Sequence, residues 1–295
     1  MAVCNLCGTE VDDRQSCLYV KDTYPVLRCS TCGLIFRGTI PDNKELDLIY
    51  SDSYFFSELG DTQGQGYQDY QKDERFLRSN FRRRLGRIGQ HCNGVGRLLD
   101  VGSASGFFMD EARQLGWTVR GVEYSSTMAQ LAQKKLGLDV WVGKFQDFDD
   151  QPMTYDVITM WDYIEHSVDP AHDFKSIQRM LKPGGLIVAS TGNINSIMSK
   201  LSGRNWHLMT PRHHVFYFSP EVIRAYLEKE GFEVLKIAYH SEVYSLSYIS
   251  YKLFTIFPWR LVRRGANALD RSPLSQLNIP LNLFDIMTVY ARKKA

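Results

Sequence analysis

From Arg97 onward, short apolar runs alternate with segments of helical spacing, and no other feature of the chain limits its fold as much. Strands are predicted at Leu98 to Val101, Thr118 to Glu123, Val140 to Val142, Tyr155 to Trp161, Leu186 to Ser190, Phe232 to Ala238 and Phe284 to Arg292. Helices are predicted at Phe107 to Leu115, Thr127 to Leu136, Asp173 to Leu181 and Pro220 to Glu230, the third broken by Lys182-Pro183-Gly184-Gly185 and the fourth ended by Gly231. Strands joined through helices pair in parallel and need cover on both faces. The expected fold is therefore α/β, a doubly wound, mostly parallel sheet.

In such a sheet ligands sit beyond the carboxyl ends of the strands. The first strand runs into Leu99-Asp100-Val101-Gly102-Ser103-Ala104-Ser105-Gly106-Phe107. Its glycines permit a sharp turn and a close approach of backbone to ligand, and the helix that follows opens with undonated N–H groups. A Gly-rich turn alone also fits nicotinamide and flavin enzymes. Here the full G-x-G-x-x-G is absent, Ala104 holding the middle position. Asp100 stands just before the turn, where a carboxylate can hold loop amides or the amino group of an amino-acid ligand.

The N-terminal stretch has a different logic. Cys4-x-x-Cys7 and Cys29-x-x-Cys32 are each followed by glycine, at Gly8 and Gly33. Two C-x2-C pairs about twenty residues apart match a closed tetrahedral thiolate zinc site, structural in role. A disulfide framework and a redox pair are the competing readings; the first needs export, and the second would be a single C-x-x-C within a βαβ unit. Residues 1–40 are expected to be this module, with folding energy supplied by the metal. Cys17 and Cys92 read as ordinary half-buried cysteines.

Residues 41–90 read as an aromatic, partly helical connector with Tyr50, Tyr54, Tyr67 and Tyr70. Its later half, Asp69 to Ile88, spaces Phe76, Leu77, Phe81, Leu85 and Ile88 as one apolar helical face. Arg82, Arg83 and Arg84 in that helix read as a solvated face. Residues 91–295 form the expected catalytic domain, with cap insertions near 193–219 and 241–275. Hydrophobic residues at 44% and charged residues at 23% suit a globular chain. A net charge of +2 gives no electrostatic case for nucleic acid. No apolar run reaches the roughly 18 residues that span a bilayer, and the N-terminus lacks the apolar core of a signal peptide, so the expected location is the cytoplasm. The segment Tyr244 to Arg264, ending in Trp259-Arg260-Leu-Val-Arg263-Arg264, reads first as a cap, with a dimer contact or weak contact with a membrane surface as alternatives.

Taken in order, these motifs resemble those of class I S-adenosylmethionine-dependent methyltransferases, over nearly the whole chain. Asp100 to Gly106 matches the first motif, Gly121-Val122-Glu123-Tyr124-Ser125 the acidic end of the second strand, Tyr155-Asp156-Val157-Ile158 the fourth strand, and Leu181 to Gly185 the turn before the fifth. More narrowly, the chain is similar to a subgroup with an N-terminal C-x2-C module and a Trp161-Asp162-Tyr-Ile-Glu165-His166 stretch, often associated with sugar modification, and to quinone-pathway O-methyltransferases. The resemblance implies a Rossmann-like sheet of seven strands with S-adenosylmethionine bound by Asp100, Gly102, Ser103, Ala104, Gly106 and Phe107. It also implies Glu123 on the ribose hydroxyls, Tyr124 stacked on adenine, Phe145, Gln146 and Asp147 as an adenine clamp, and Trp161 and Asp162 at the methionine end, where an aromatic face attracts a sulfonium. Tyr67 is expected to fold over the cofactor.

Methyl transfer is an in-line displacement that depends on placing the acceptor, and a hydroxyl acceptor needs a base for its proton. His166 and His214 are the candidates, with Glu165 beside the first. The stretch Asp162, Glu165, His166 resembles a set that holds a divalent metal in some quinone-pathway methyltransferases; a helix-capping role for Glu165 and His166 is the plainer alternative. Asn193, Asn195 and Trp206 are candidate acceptor contacts. The leading expectation is O-methylation of a sugar or glycan precursor, free or lipid-linked. The alternatives are a quinone-like aromatic acceptor, C-methylation of a keto sugar, and a silent cofactor-binding scaffold.

Overall fold

The structure is a computed structural model that describes residues 1–49, 74–246, 249–250, 269, 272, 274 and 277–294. Tyr50, Tyr54, Tyr67, Tyr70 and the Trp259 to Arg264 stretch lie outside the described residues.

The N-terminal part holds β1 (Ala2–Val3), β2 (Glu10–Val11), β3 (Cys17–Lys21), β4 (Tyr24–Arg28) and β5 (Ile35–Arg37), followed by the short helix α1 (Asn43–Ile49). Helix α2 (Glu74–Gly89) leads into the alternating region: β6 (Arg97–Val101), α3 (Phe107–Gln114), β7 (Thr118–Glu123), α4 (Ser126–Leu136), β8 (Val140–Val142), β9 (Tyr155–Trp161), α5 (Pro170–Met180) and β10 (Leu181–Gly192). Then come α6 (Ile197–Ser202), β11 (Phe216–Tyr217), α7 (Pro220–Lys229), β12 (Phe232–Ala238), β13 (Glu242–Ser245), β14 (Asn278–Leu281) and β15 (Ile286–Lys293).

Seven strands form the main sheet in the order β12-β15-β10-β9-β6-β7-β8. The pairings from β10 through β8 are parallel, and β15 runs antiparallel to both its neighbours. The strand order reverses between β6 and β9, which puts the ligand crevice beyond Val101 and Trp161. Side-chain alternation gives each face its own core. Leu98, Val157, Val188 and Tyr290 pack under α2 and α3, whereas Leu99, Val101, Ile158, Met160, Ile187 and Val289 pack under α5 and α7.

The helix starts carry the side chains that helices need there. Ser125, Asp169 and Ser219 accept from Met128, His172 and Val222 N–H, and Pro170 and Pro220 occupy the first turn. Lys182 to Gly185, expected as a break, lies within β10 as an irregularity in its pairing with β9 between Leu181 and Leu186. Gly185 is required there, because a Cβ would meet the Lys182 carbonyl oxygen at 2.9 Å. Among the described residues, no helix is long and apolar enough to cross a membrane.

The N-terminal module is not a separate bead. Its Cys4, Leu6, Val11, Leu27, Cys29, Leu34 and Phe36 belong to the same buried cluster as Ile158, Phe174 and Val289 of the main domain. A second sheet, ordered β11-β5-β4-β3, includes β11 from the insertion near 193–219. Lys229 Nζ donates to the Leu6 carbonyl at 2.8 Å, and Asn5 joins Asp169, Ala171 and Tyr226. The expected cap insertion is thus also a strand of the module's sheet.

Candidate active site

The four cysteine sulfurs converge, with Cys4 to Cys32 at 3.4 Å and Cys7 to Cys29 at 3.6 Å. Four thiolates about 2.3 Å from a zinc ion lie ~3.8 Å apart, close to this spacing. The two knuckles have matching geometry: Gly8 and Gly33 take φ of 74° and 77°, and their N–H groups donate to the Cys4 and Cys29 carbonyls at 2.9 and 3.0 Å. Glycine accepts that left-handed backbone without cost. Cys17 and Cys92 stand apart from the cluster, half-buried.

The turn after β6 is held on β7, since Gly102 and Ser103 N–H both donate to the Val122 carbonyl, at 2.9 and 3.1 Å. Gly102, Ala104 and Gly106 have φ of 75°, 46° and 79°, so the turn rests on left-handed backbone, at Ala104 with a side chain that disfavours it. The Ser103 hydroxyl points under the loop, where a Cβ on Gly121 would meet it at 2.7 Å. Phe107 is buried at the start of α3. Asp100 is fully enclosed and accepts from the Thr159 hydroxyl at 2.7 Å, and no loop amide donates to it among the hydrogen bonds of the described residues. Burial pushes its carboxyl up to about 7.

Glu123 ends β7 with its oxygens on the Ala104 and Ser125 N–H groups, both at 2.8 Å. An ionised carboxylate has about four acceptor sites, so this anchoring leaves capacity for a diol. Burial raises its pKa. The Tyr124 hydroxyl donates to Asp47 of α1 at 2.5 Å, and Lys144 reaches Asn43, so α1 lies along the edge where the adenine end is expected. The expected clamp divides. Phe145 is buried in the core, Gln146 donates to Asp173 at 2.6 Å, and Asp147 is exposed.

Where the methionine end is expected, Trp161 meets a neighbour that the sequence places on a solvated face. The Arg84 guanidinium lies 4.5 Å from the Trp161 ring centroid, and its Nε donates to Glu242 at 3.2 Å. Arg82 and Arg83 are exposed as expected, but Arg84 is not part of a solvated face. The signal was its position: on the helix it lies three residues after Phe81 and next to Leu85, both on the buried stripe.

Asp162 follows β9 in left-handed backbone at φ 50°, with its carboxylate accepting from Ser190 at 2.8 Å and its N–H donating to the Ser190 carbonyl at 3.1 Å. It does not join the expected set with Glu165 and His166. The structure brings Glu165, His166 and His214 together instead, one ligand atom of each within 4.8 Å of the others. Nor do Glu165 and His166 cap a helix, because Asp169 caps α5. His166 Nδ1 lies 3.0 Å from the His213 carbonyl and His214 Nδ1 lies 2.7 Å from the Leu208 carbonyl. A carbonyl only accepts, so each Nδ1 carries the proton and each Nε2 presents a lone pair. Burial pushes His166 down to about 4, His213 down to about 3 and His214 well below its usual value, which keeps the rings neutral at pH 7. Burial, and next the Asp162 charge, push Glu165 up to about 8. Glu165 Oε2 is buried, and among the described residues no hydrogen bond of normal geometry reaches it. An orphaned carboxylate oxygen beside two imidazole lone pairs is a donor set suited to a divalent cation.

Of the suggested acceptor contacts, Trp206 is structural. It is buried, and its Nε1 donates to Asp285 at 3.1 Å. Asn193 donates to the Tyr239 hydroxyl at 3.1 Å, and Asn195 is exposed.

Comparison with known proteins agrees with this fold. A family model described as a methyltransferase domain matches residues 70–237. A ubiquinone biosynthesis O-methyltransferase of Pseudomonas entomophila is 31% identical over 153 residues, 48% of this chain and 66% of that protein. Its Pseudomonas fluorescens counterpart is 32% identical over 119 residues, 38% of this chain. The chain thus spans 66% and 51% of the lengths of these two relatives. A solved S-adenosylmethionine-dependent methyltransferase of Archaeoglobus fulgidus shares the fold at a TM-score of 0.52 and 21% identity, over 76% of this chain and 99% of that one.

Proposed function

Because the chain belongs to the methyltransferase-domain family, we propose that it transfers the methyl group of S-adenosylmethionine to a hydroxyl of a small acceptor bound at Glu165, His166 and His214. That three-residue cluster, beyond the carboxyl end of β9, is the observation that carries the reading. The Gly102–Gly106 turn and Glu123 hold the cofactor, with Trp161 and Arg84 beside its methionine end. Glu165, His166 and His214 would hold a divalent cation, which would supply Lewis-acid polarisation of an acceptor oxygen there. The residues do the rest. The Glu165 carboxylate oxygen left free by the cation accepts the hydroxyl proton, and the left-handed Asp162 turn fixes the direction from which the acceptor faces the methyl group. The Cys4 site holds a structural zinc ion.

The acceptor class we favour is a quinone-like aromatic hydroxyl, supported by the 31% identity to ubiquinone O-methyltransferases. A sugar hydroxyl, free or lipid-linked, is the second reading, favoured by the polar pair Asn193 and Tyr239 at the carboxyl ends of β10 and β12. The test is turnover of catechols against nucleotide sugars with saturating S-adenosylmethionine, after calorimetry has established S-adenosylhomocysteine binding. Methylated catechol supports the first class and methylated sugar the second. Failure of zinc-loaded, folded protein to bind S-adenosylhomocysteine would refute both.

A further inference from the structure

The module makes a contact with the site that its zinc does not explain. Residues 204–215 lie along the module's sheet, and two cations from that sheet hold their carbonyls. Lys21, at the end of β3, donates through Nζ to the Arg204 carbonyl at 2.9 Å and the Met209 carbonyl at 2.6 Å. Arg37, at the end of β5, is 1% exposed. Its backbone N–H donates to the Val215 carbonyl at 2.8 Å, and its Nη1 reaches the Pro211 carbonyl at 3.4 Å. The guanidinium is itself held by Glu45, at 2.7 and 2.8 Å, and stacks 4.3 Å from the Tyr24 ring centroid.

The residues between these anchor points set every member of the cluster. The Leu208 carbonyl, one residue before Met209, accepts His214 Nδ1–H. The His213 carbonyl accepts His166 Nδ1–H. Val215 N–H donates to the Glu165 carbonyl at 2.8 Å. Backbone carbonyls that fix the tautomer and aim of imidazole ligands act on a metal centre from outside it, and losing such partners typically costs 10–100-fold in affinity.

We propose that Lys21 and Arg37 are positioning residues for Glu165, His166 and His214, so that the N-terminal module sets the geometry of a centre to which it gives no ligand. In its metal readout this rests on the proposed cation-binding role of the cluster. The module is then a working part of the catalytic site as well as a folding unit.

The experiment uses the full-length, zinc-loaded chain and its Lys21→Met, Lys21→Arg and Arg37→Met variants. Cobalt(II) is titrated into each, followed by calorimetry and by its visible absorption, while NMR records the slowly exchanging imidazole Nδ1–H protons of His166 and His214. Zinc content and S-adenosylhomocysteine affinity serve as controls. The expected result is a tenfold or greater loss of cobalt affinity and loss of the His214 Nδ1–H signal in Lys21→Met, with both controls unchanged and recovery in Lys21→Arg. Lys21 is only half-buried, so this pair decides the question even if Arg37→Met does not fold. A Lys21→Met protein with unchanged imidazole signals and cobalt affinity within twofold of wild type overturns the proposal. A wild-type protein that binds no cobalt overturns the cation reading instead, and the Nδ1–H signals alone then decide the positioning role.

Discussion

The imidazoles of His166 and His214 stand edge to face with ring centroids 4.6 Å apart, each pinned through Nδ1 to a backbone carbonyl. Either ring alone reads as a lone histidine; together, with Glu165 beside them, they form a cluster of potential ligands. His166→Ala and His214→Ala are each expected to lower turnover 10²- to 10⁴-fold, the range for losing a general base or an oriented acceptor. Affinity for S-adenosylhomocysteine should stay within a factor of about two, because Glu123 and the Gly102–Gly106 turn are untouched. Calorimetry beside a methyl-transfer assay checks both, and undiminished turnover in both variants would remove the cluster from the chemistry.

Glu123 holds two backbone amides, those of Ala104 and Ser125, besides its expected ribose contact. Glu123→Ala is expected to weaken S-adenosylhomocysteine binding 10- to 100-fold, since hydrogen bonds to a charged group contribute about 1.5–3 kcal/mol. It should also lower the melting temperature of the cofactor-free protein, by leaving Ala104 and Ser125 N–H without their acceptor. Affinity equal to wild type would contradict the assignment.

Asp100 predicts a pH dependence of stability. Its carboxyl titrates at about 7 in the folded chain, against a model-compound value of 3.8, because burial disfavours the charged form. The folded state therefore holds this proton more tightly, and the contribution is fully present below about pH 3.8 and lost as pH rises through about 7. Asp100→Asn keeps an acceptor for Thr159 without the charge. The variant should be the more stable at pH 8 when cofactor-free, by up to ~4 kcal/mol at about 1.4 kcal/mol per pKa unit, with the gap narrowing toward pH 4. Denaturant melts at several pH values measure it, and a gap independent of pH would refute it.

Arg84 is stacked on Trp161 and hydrogen-bonded to Glu242. Arg84→Lys keeps the charge but not the planar stack, and the two cations are not equivalent at such a site. A guanidinium there can pair with the carboxylate of the methionine moiety, worth about 1.5–3 kcal/mol, so S-adenosylmethionine affinity is expected to fall roughly tenfold in Arg84→Met and partway in Arg84→Lys. Equal affinity in all three proteins would leave Arg84 a packing residue.

Cys29→Ser should lose one zinc ion per chain. Because Cys29 and Phe36 share a buried cluster with Phe174 and Val289, the whole chain should melt earlier, in a single transition. A biphasic melt, with the main domain unchanged, would show that the module folds independently.

Much of this was legible in the sequence because it is local. The strand limits at β7, β8, β9 and β12 follow from apolar runs bounded by turns, and the knuckle glycines follow from the left-handed backbone beside each cysteine pair. What escaped is non-local. Nothing in the spacing of Asp162, Glu165 and His166 reveals that Ser190 engages the aspartate, or that a loop anchored on another sheet supplies His214 to the cluster. Phe145 shows the same limit, since a phenylalanine after a strand reads equally as a clamp or as core, and only its packing against Phe148 decides. Arg84 was misread with its two neighbours because a charge run hides the one member that faces inward.

The placement of β15 has a consequence for synthesis. This strand fills the slot between β10 and β12, in register from Gly192↔Ile286 to Leu186↔Arg292 on one side and from Phe232↔Lys293 to Ala238↔Thr288 on the other. While the ribosome still holds the segment up to Lys293, β10 has an open edge and β12 has no neighbour. At 5–20 residues per second the nascent chain spends several seconds with that apolar gap exposed. The sheet can close only after β15, second from its edge, has been made, well after β12. Chains stalled before this strand are therefore expected to present an open, aggregation-prone edge on β10.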